Sequence, residues 1–350
     1  MSISEKVKTV SGKALKKSLG LLFVILSFWY LLDHLFTHFD QLKELRVSAL
    51  FLGILFLSLL LFILSHAMNV ASWWILQPNK KSQGLSFLMS CEIHFRSQIA
   101  KYLPGNVFHV IKLVQGATEK GLNLKRVLFV STLQIILTLI MGFIFGLLTL
   151  FFRFEELAKV LELQKLWSEF EFSFKKKSYM ILVLLALLIA SYVFLFLFFK
   201  KALSHLKEKI FSFIQELKAF SIKDIIFSLV VLFCDYLLMG YIFYLVLNYF
   251  PGVNSEISYG YLTGSFAIAW VMGSIVPGAP GGMGVREAIL LKLLLPFGVS
   301  APVLVVFLLT IRLVNVLADV SVFFISFLPF LSLTKLENLT MLEKLTKEKP

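Results

Sequence analysis

A long apolar run is interrupted at residues 277–287, which read Pro-Gly-Ala-Pro-Gly-Gly-Met-Gly-Val-Arg-Glu. Apolar sequence lies on both sides, from Phe266 to Val276 and from Ala288 to Leu295. Four glycines and two prolines end any helix there. Within a bilayer, such a break and its charges survive only against protein or a wet cavity. The stretch therefore predicts a broken helix at a binding site, as in transporters; a Gly/Pro-rich loop is the alternative.

The composition of the chain indicates an integral membrane protein. Of 350 residues, 58% are hydrophobic and 37 are phenylalanine, whereas soluble domains are roughly 45–50% apolar. The apolar runs are continuous and not alternating, which favours an all-α polytopic fold over a barrel. Cys91 and Cys234 lie in apolar segments and suggest neither a disulfide nor a metal site. The net charge of +13 is attributed to topology and anionic lipid, with no nucleic acid expected as a partner.

Apolar segments long enough to cross a bilayer predict six spans. They lie near residues 18–37, 48–76, 127–152, 178–199, 225–250 and 301–330. Two shorter apolar pairs, 85–115 and 259–295, are broken at Pro104-Gly105 and at Pro277-Gly278. Their arms, of about 10–19 residues, are mostly too short to cross. We therefore expect both pairs to be re-entrant hairpins.

The distribution of basic residues predicts the orientation of these spans. Lys and Arg are more than twice as numerous on the side that carries both termini as on the other side. Positive charge accumulates in the cytoplasm, so we expect a multi-pass protein of the plasma (inner) membrane with both termini cytoplasmic. The loop 153–178 fits less well, although five glutamates accompany its six basic residues.

The order of the segments predicts a single membrane domain, 1–350, built as an inverted repeat. Residues 18–152 form the first half with hairpin 85–115, and residues 178–331 form the second half with hairpin 259–295; a short cytoplasmic tail, 332–350, follows. Three crossings in each half make the halves inverted relative to each other. The hairpins then enter from opposite sides and meet near the bilayer midplane, as in many secondary transporters.

Charged residues in the first hairpin suggest an anion site. Glu92 and Arg96 are four residues apart and can pair on one helix face, while Lys101 lies about a turn before the break. Arginine binds phosphate and carboxylate oxygens through two parallel hydrogen bonds. The alternative is an amphipathic helix on the cytoplasmic surface, with Arg96 and Lys101 among lipid headgroups.

The second hairpin places Arg286 and Glu287 at the start of its second arm. Glu287 suits a helix N-terminus because free N–H groups and the helix dipole favour an anion there. Arg286 does not, so it needs an anionic partner. Glu287, Asp319, Asp235 and a substrate are the candidates, and we favour a functional Arg286.

The last span carries Arg312, Asn315 and Asp319 on one helix face, because their spacing is i, i+3 and i+7. Asp235 is isolated among apolar residues in the preceding span. A structural Arg–Asp pair between helices and a direct substrate role are equally consistent with this pattern. Glu92 joins these four as intramembrane polar support. His66 and Asn69 are expected to form hydrogen bonds between helices.

The motifs at 280–287, Pro-Gly-Gly-Met-Gly-Val-Arg-Glu, and at 101–107, Lys-Tyr-Leu-Pro-Gly-Asn-Val, resemble the membrane region of lysylphosphatidylglycerol synthases. The resemblance covers nearly the whole chain. In the full-length synthases this region looks like the part that moves aminoacylated phospholipid between leaflets, ahead of a cytoplasmic aminoacyltransferase domain. The chain ends at Pro350, so we expect that transferase to be missing. No lipid aminoacylation is expected from this region alone.

We predict a flippase- or scramblase-like lipid translocase, with no catalytic residues, no cofactor and no metal. The candidate substrate-binding residues are Arg96, Lys101, Tyr102, Pro104, Gly105, Pro280, Gly281, Gly282, Gly284, Arg286 and Glu287. The alternatives are an enzyme acting on a lipid phosphate, with Glu92, His94, His109 or Glu287 as its base, and a non-catalytic membrane protein. The expected partner is a membrane phospholipid or lipid-linked substrate. A homo-oligomer and a separate lipid-modifying enzyme remain open as further partners.

Overall fold

The fold is all-helical throughout the described part of the chain. A computed structural model describes residues 48–77, 85–102, 108–152, 216–217, 220–253, 257–276 and 280–328. The helices in these ranges are α1 (Ala49–Leu76), α2 (Phe87–Gln98), α3 (Phe108–Glu119), α4 (Leu124–Phe152), α5 (Ile222–Asn248), α6 (Tyr259–Ile275), α7 (Val285–Leu294) and α8 (Ala301–Ile325). Short 3₁₀ turns cover Ile99–Tyr102, Pro280–Gly282 and Leu295–Phe297.

Four described helices, α1, α4, α5 and α8, are long and apolar enough to cross a membrane. They correspond to the predicted spans 48–76, 127–152, 225–250 and 301–330, and each predicted boundary falls within five residues of the observed helix. The predicted spans 18–37 and 178–199 lie outside the described residues. The polytopic helical fold is therefore confirmed for the part of the chain that the structure describes.

Serine residues cap several of these helices and set where they begin. The Oγ atoms of Ser48, Ser86 and Ser258 each accept a hydrogen bond from the backbone N–H three residues later, at 3.1, 3.1 and 3.4 Å. Such caps satisfy N–H groups that the first helical turn leaves free. The starts of α1, α2 and α6 are thus specified locally by sequence.

The long helices differ in how deeply they are buried. In the apolar stretch of α8, 50% of the residues are buried, against 28% in that of α1. Large side chains on the outer surfaces, such as Leu50, Phe56, Leu313 and Phe324, are exposed. In a bilayer these surfaces contact lipid, which is as apolar as leucine. Helix α8 therefore lies closer to the centre of the bundle than α1 does.

Glycines allow α6 to pack unusually close to its neighbours. A Cβ on Gly264 of α6 would overlap Oγ1 of Thr149 in α4, and a Cβ on Gly240 of α5 would overlap Oγ1 of Thr263 in α6. Small residues at helix contacts let backbones approach closely in membranes. Helix α6 therefore packs directly against α4 and α5.

The two broken segments meet at their tips. The first consists of α2, the turn Ile99–Tyr102 and α3; the second consists of α6, the turn Pro280–Gly282 and α7. A Cβ on Gly281 would lie 3.9 Å from the backbone oxygen of Lys101. The gaps at 103–107 and 277–279, which contain Pro104-Gly105 and Pro277-Gly278, lie outside the described residues. The described residues of the two tips are therefore adjacent.

Candidate functional site

A cavity of about 410 Å³ lies between the long helices and the two broken segments. Its polar lining includes His66, Asn69, Lys101, Asp235, Arg286 and Arg312. Aromatic residues, among them Tyr236 and Trp270, complete its walls. The cavity is therefore amphiphilic, and its charged side chains come from both tips and from α5 and α8.

Arg286 enters the cavity from the first turn of α7. Its Nη2 atom lies 3.4 Å from Oγ of Ser274, and its Cζ lies 5.4 Å from the ring centroid of Trp270. Its Nε is buried without a hydrogen-bond partner, and no carboxylate of the described residues forms an ion pair with it. The three protein carboxylates predicted as candidate partners are therefore not paired with Arg286.

Glu287 instead contacts the start of its own helix and the side chain of Arg312. Its Oε2 accepts a 2.7 Å hydrogen bond from the N–H of Gly284, which satisfies the start of α7. Its Oε1 lies 3.8 Å from Nε of Arg312. Nη2 of Arg312 also donates to the carbonyl oxygen of Gly281 at 3.4 Å. Arg312 thus links α8 to the second tip, and Glu287 offsets its charge.

Asp319 connects the first tip to two long helices. Its Oδ1 lies 2.7 Å from Nζ of Lys101 and 2.9 Å from Nε2 of His66, and its Oδ2 accepts a short hydrogen bond from the hydroxyl of Tyr102. Asp319 is fully buried, so its charge requires these partners. The charge of Lys101 is consequently offset by protein rather than left for a ligand.

Asp235 is held by neutral groups of α1. Ser65 donates to its Oδ1 at 2.6 Å, and Nδ2 of Asn69 donates to its Oδ2 at 2.8 Å. Gln134 of α4 in turn donates to the backbone oxygen of Asn69 at 2.7 Å. These bonds join α1, α4 and α5 beside the cavity. Asp235 and Asn315 both line it.

Arg96 lies apart from this cluster. Its Nη1 is 3.0 Å from Oε1 of Glu92, and its Cζ lies over the ring of Phe327 at 4.8 Å. Lys120 contacts the other oxygen of Glu92 at 2.9 Å. The Arg96 side chain is 44% exposed and is not among the residues that line the cavity. The predicted pairing of Glu92 with Arg96 is observed, but on a different surface from Arg286.

The sequence-predicted site residues that the structure describes thus fall into three groups. Those that line the cavity are Lys101, Gly281, Arg286, Glu287, Asp235, Arg312 and Asn315. Those beside it in the tips are Tyr102, Pro280, Gly282 and Gly284, with Asp319 behind Lys101. Arg96 and Glu92 lie elsewhere, and Pro104 and Gly105 fall outside the described residues.

Sequence reasoning missed Ser65, Trp270 and Ser274. One signal for Ser65 was available, because Ser58, Ser65 and Ser72 recur every seven residues on α1 and all three are buried. Trp270 and Ser274 carry no such signal, since they are ordinary residues for an apolar helix. They matter only through their contact with Arg286 across the break.

Comparison with protein families shows which family the chain belongs to. The profile described as lysylphosphatidylglycerol synthase TM region matches residues 17–322. The chain belongs to the lysylphosphatidylglycerol synthase transmembrane-region family. The match includes both broken segments and every residue that lines the cavity. Membership agrees with a multi-pass membrane protein related to lipid modification or translocation. No curated protein shows significant similarity to the chain.

Proposed function

We propose that this protein is a lipid translocase that moves a phospholipid or a lipid-linked anionic headgroup between leaflets. The observation that carries the proposal is the environment of Arg286. It reaches a cavity among the membrane helices, and no described carboxylate pairs with it. Charged groups inside a membrane mark substrate pathways, and a headgroup phosphate is an anion that arginine binds well.

The charge balance of the cavity favours an anion at this point. Lys101 is offset by Asp319, and Arg312 is partly offset by Glu287. The guanidinium of Arg286 lies against the neutral Ser274 and Trp270, and no carboxylate of the described residues forms an ion pair with it. A phosphate beside Arg286 would also lie close to Arg312, because both side chains line the same cavity next to the second tip.

The lengths of the short helices support re-entrant hairpins. Helices α2 and α3 have 12 residues each and α7 has 10, so they extend about 18 and 15 Å, against a hydrocarbon core of about 30 Å. Arms this short reach about the midplane. The remaining arm, α6, has 17 residues and extends about 26 Å, which is also less than the hydrocarbon core. The inverted arrangement of the two halves and the cytoplasmic termini at the plasma membrane belong to this same proposal.

The size of the cavity suits a headgroup rather than a whole lipid. Its volume of about 410 Å³ is at the lower end of the usual range for small-molecule sites, so the acyl chains would remain in the bilayer. Transport would be downhill or driven by an ion gradient, since the sequence carries no recognisable nucleotide-binding loop. A second copy of the chain or a lipid-modifying enzyme would be an additional partner.

The test is headgroup flipping in proteoliposomes that contain a fluorescent phospholipid, with dithionite quenching of the outer leaflet. We expect quenching beyond the outer-leaflet half with the wild-type protein, and its loss with Arg286→Ala. Arg96→Ala is the matched control, because it removes an arginine that does not line the cavity. Wild-type flipping in Arg286→Ala, with equal amounts of folded protein, would contradict the proposal.

One observation favours an enzyme acting on a lipid phosphate as the second candidate. His109 also lines the cavity, and its Nδ1 is buried without a hydrogen-bond partner in the described structure, so it could act as a general base. Purified protein in detergent would then convert a lipid phosphate to product, and His109→Gln would abolish that conversion. Absence of product from several lipid phosphates would reject this candidate.

A further inference from the structure

The side chain of Arg286 lies in a narrow slot between two glycines of the second broken segment, one in its first arm and one in its tip. Gly273 comes from α6, before the break, and Gly282 comes from the tip. A Cβ on Gly273 would lie 2.5 Å from Cγ and 3.3 Å from Cδ of Arg286. These distances are far below van der Waals contact. Any larger residue at 273 would therefore displace the arginine stem.

Gly282 forms the opposite wall of the slot. A Cβ there would collide with Nε of Arg286 and would lie 3.1 Å from its Cδ and Cζ. Its φ of 71° also favours glycine. The space next to Gly282 is therefore filled by Arg286.

Trp270 and Ser274 contact the far end of the same side chain. With Gly273 they occupy positions i, i+3 and i+4, hence one face of α6. The indole attracts the guanidinium through its ring face, and the hydroxyl of Ser274 lies at 3.4 Å from Nη2. Both groups are neutral. They orient the guanidinium without cancelling its charge, which a carboxylate would do.

We infer that Trp270, Gly273 and Ser274 form an arginine-positioning face on α6, which fixes Arg286 in place to bind the headgroup phosphate. This inference rests on the proposed function for the identity of the ligand. A binding group that is already immobilised loses little entropy when its ligand arrives. Gly273 touches no ligand in this scheme; it acts through Arg286 and is a positioning residue.

A thermal-stability cycle tests the slot directly. Alanine normally stabilises a helix interior relative to glycine. In the wild-type background we expect Gly273→Ala to lower the Tm, because the new methyl group meets Arg286. In an Arg286→Ala background the obstacle is gone, so the same substitution should raise the Tm. Gly53→Ala in α1, where a Cβ meets nothing within 4 Å, should raise the Tm in both backgrounds.

Flipping assays on the same variants connect the slot to function. We expect Gly273→Ala to reduce flipping by about tenfold or more, since small displacements of a positioned group have large kinetic effects, and Gly53→Ala to have no effect. If Gly273→Ala folds poorly, Trp270 provides a second route. Trp270→Leu should reduce flipping with little change in Tm, and Trp270→Phe, which keeps a ring face, should restore most of it.

The two assays separate the failure of this inference from the failure of the proposed function. If Gly273→Ala changes the Tm in the same direction in both backgrounds, the slot is refuted. A second outcome is that the change in Tm caused by Gly273→Ala reverses sign between the two backgrounds while flipping persists in Gly273→Ala and in Arg286→Ala. The slot then exists but does not serve lipid transport, and the functional inference is refuted. Sign reversal together with lost flipping supports both.

Discussion

The two tips carry similar Pro-Gly breaks, yet the structure uses their cations differently. At the first tip, Lys101 and Tyr102 both contact the buried carboxylate of Asp319. At the second tip, Arg286 contacts neutral groups and the cavity. A cation with a buried carboxylate ties helices together, whereas a cation with neutral neighbours keeps its charge available for a ligand. Similar local sequence therefore supports a buried ion pair at one tip and, at the other, a cation that has no carboxylate partner among the described residues.

The difference arises from the carboxylates within reach of each tip. Asp319 lies on the face of α8 that meets the first tip, so Lys101 is satisfied by a residue more than 200 positions away in sequence. At the second tip, the nearby Glu287 already accepts from Gly284 and offsets Arg312. The following predictions test this contrast, in order of decreasing effect.

Asp319→Asn should produce the largest loss of stability. It would leave the partly buried ammonium of Lys101 without its counter-charge, and breaking a buried pair in this way typically costs about 3–5 kcal/mol in the free energy of unfolding. Thermal unfolding in detergent measures the effect. Glu119→Gln, an exposed carboxylate on α3, is the control and should change little. An unchanged Tm in Asp319→Asn would show that the first tip is not anchored by this residue.

Arg286→Met should give the opposite result. Removing a charge that has no carboxylate partner in the described structure relieves a desolvation cost, so we expect the Tm to stay the same or rise, while flipping is lost. Both are measured on one preparation. Arg96→Met is the comparison, since it should leave flipping intact. A large fall in the Tm of Arg286→Met would mean that this side chain is an anchor, like Lys101.

Glu287→Ala should have a moderate effect. It removes the acceptor for the N–H of Gly284, and losing such a helix cap costs about 0.5–2 kcal/mol. It also leaves Arg312 without its nearby carboxylate. Thermal unfolding should show a decrease smaller than that of Asp319→Asn, and Glu287→Gln, which retains an acceptor oxygen, should recover part of it. Equal losses in both variants would argue against the cap.

Arg96→Gln should have the smallest effect. The Arg96 side chain is 44% exposed, so its contribution should be close to the roughly 0.2–1 kcal/mol of exposed ion pairs. Its partner Glu92 is buried but keeps Lys120 at 2.9 Å, so the carboxylate is not left without a counter-charge. We expect a barely measurable change in Tm and normal flipping at several salt concentrations. Loss of flipping would restore Arg96 to the headgroup site that the sequence suggested and would blur the contrast between the tips.

The sequence was sufficient for those features that depend on local patterns. Apolar length located α1, α4, α5 and α8, and the i, i+3, i+7 spacing placed Arg312, Asn315 and Asp319 on an inward face. Periodicity records which face of a helix is buried but not what the face meets. An Arg–Asp pair between helices was considered, for example, whereas Arg312 contacts Glu287 and Asp319 contacts Lys101.

The positioning of Arg286 could not be predicted for a related reason. It depends on Gly273, a single glycine in an apolar helix, and on the packing of α6 against α7 across the nine residues, 276–284, that separate them. Membrane helices contain many glycines that serve close packing. Only three-dimensional contacts separate Gly273, which faces Arg286, from Gly264, which faces Thr149.

The close packing of α6 against α4 and α5 restricts how the second broken segment can move. Gly264 and Thr263 place α6 directly against Thr149 and Gly240, so sliding or tilting would drive backbone into side chain. The arm before the break, α6, is therefore fixed relative to α4 and α5. The arm after it, α7, is joined to α6 by a glycine-rich segment. Any movement of α7 away from α6 would carry Arg286 out of the slot next to Gly273, and it would also break the buried hydrogen bond from the Tyr261 hydroxyl to the backbone oxygen of Leu293.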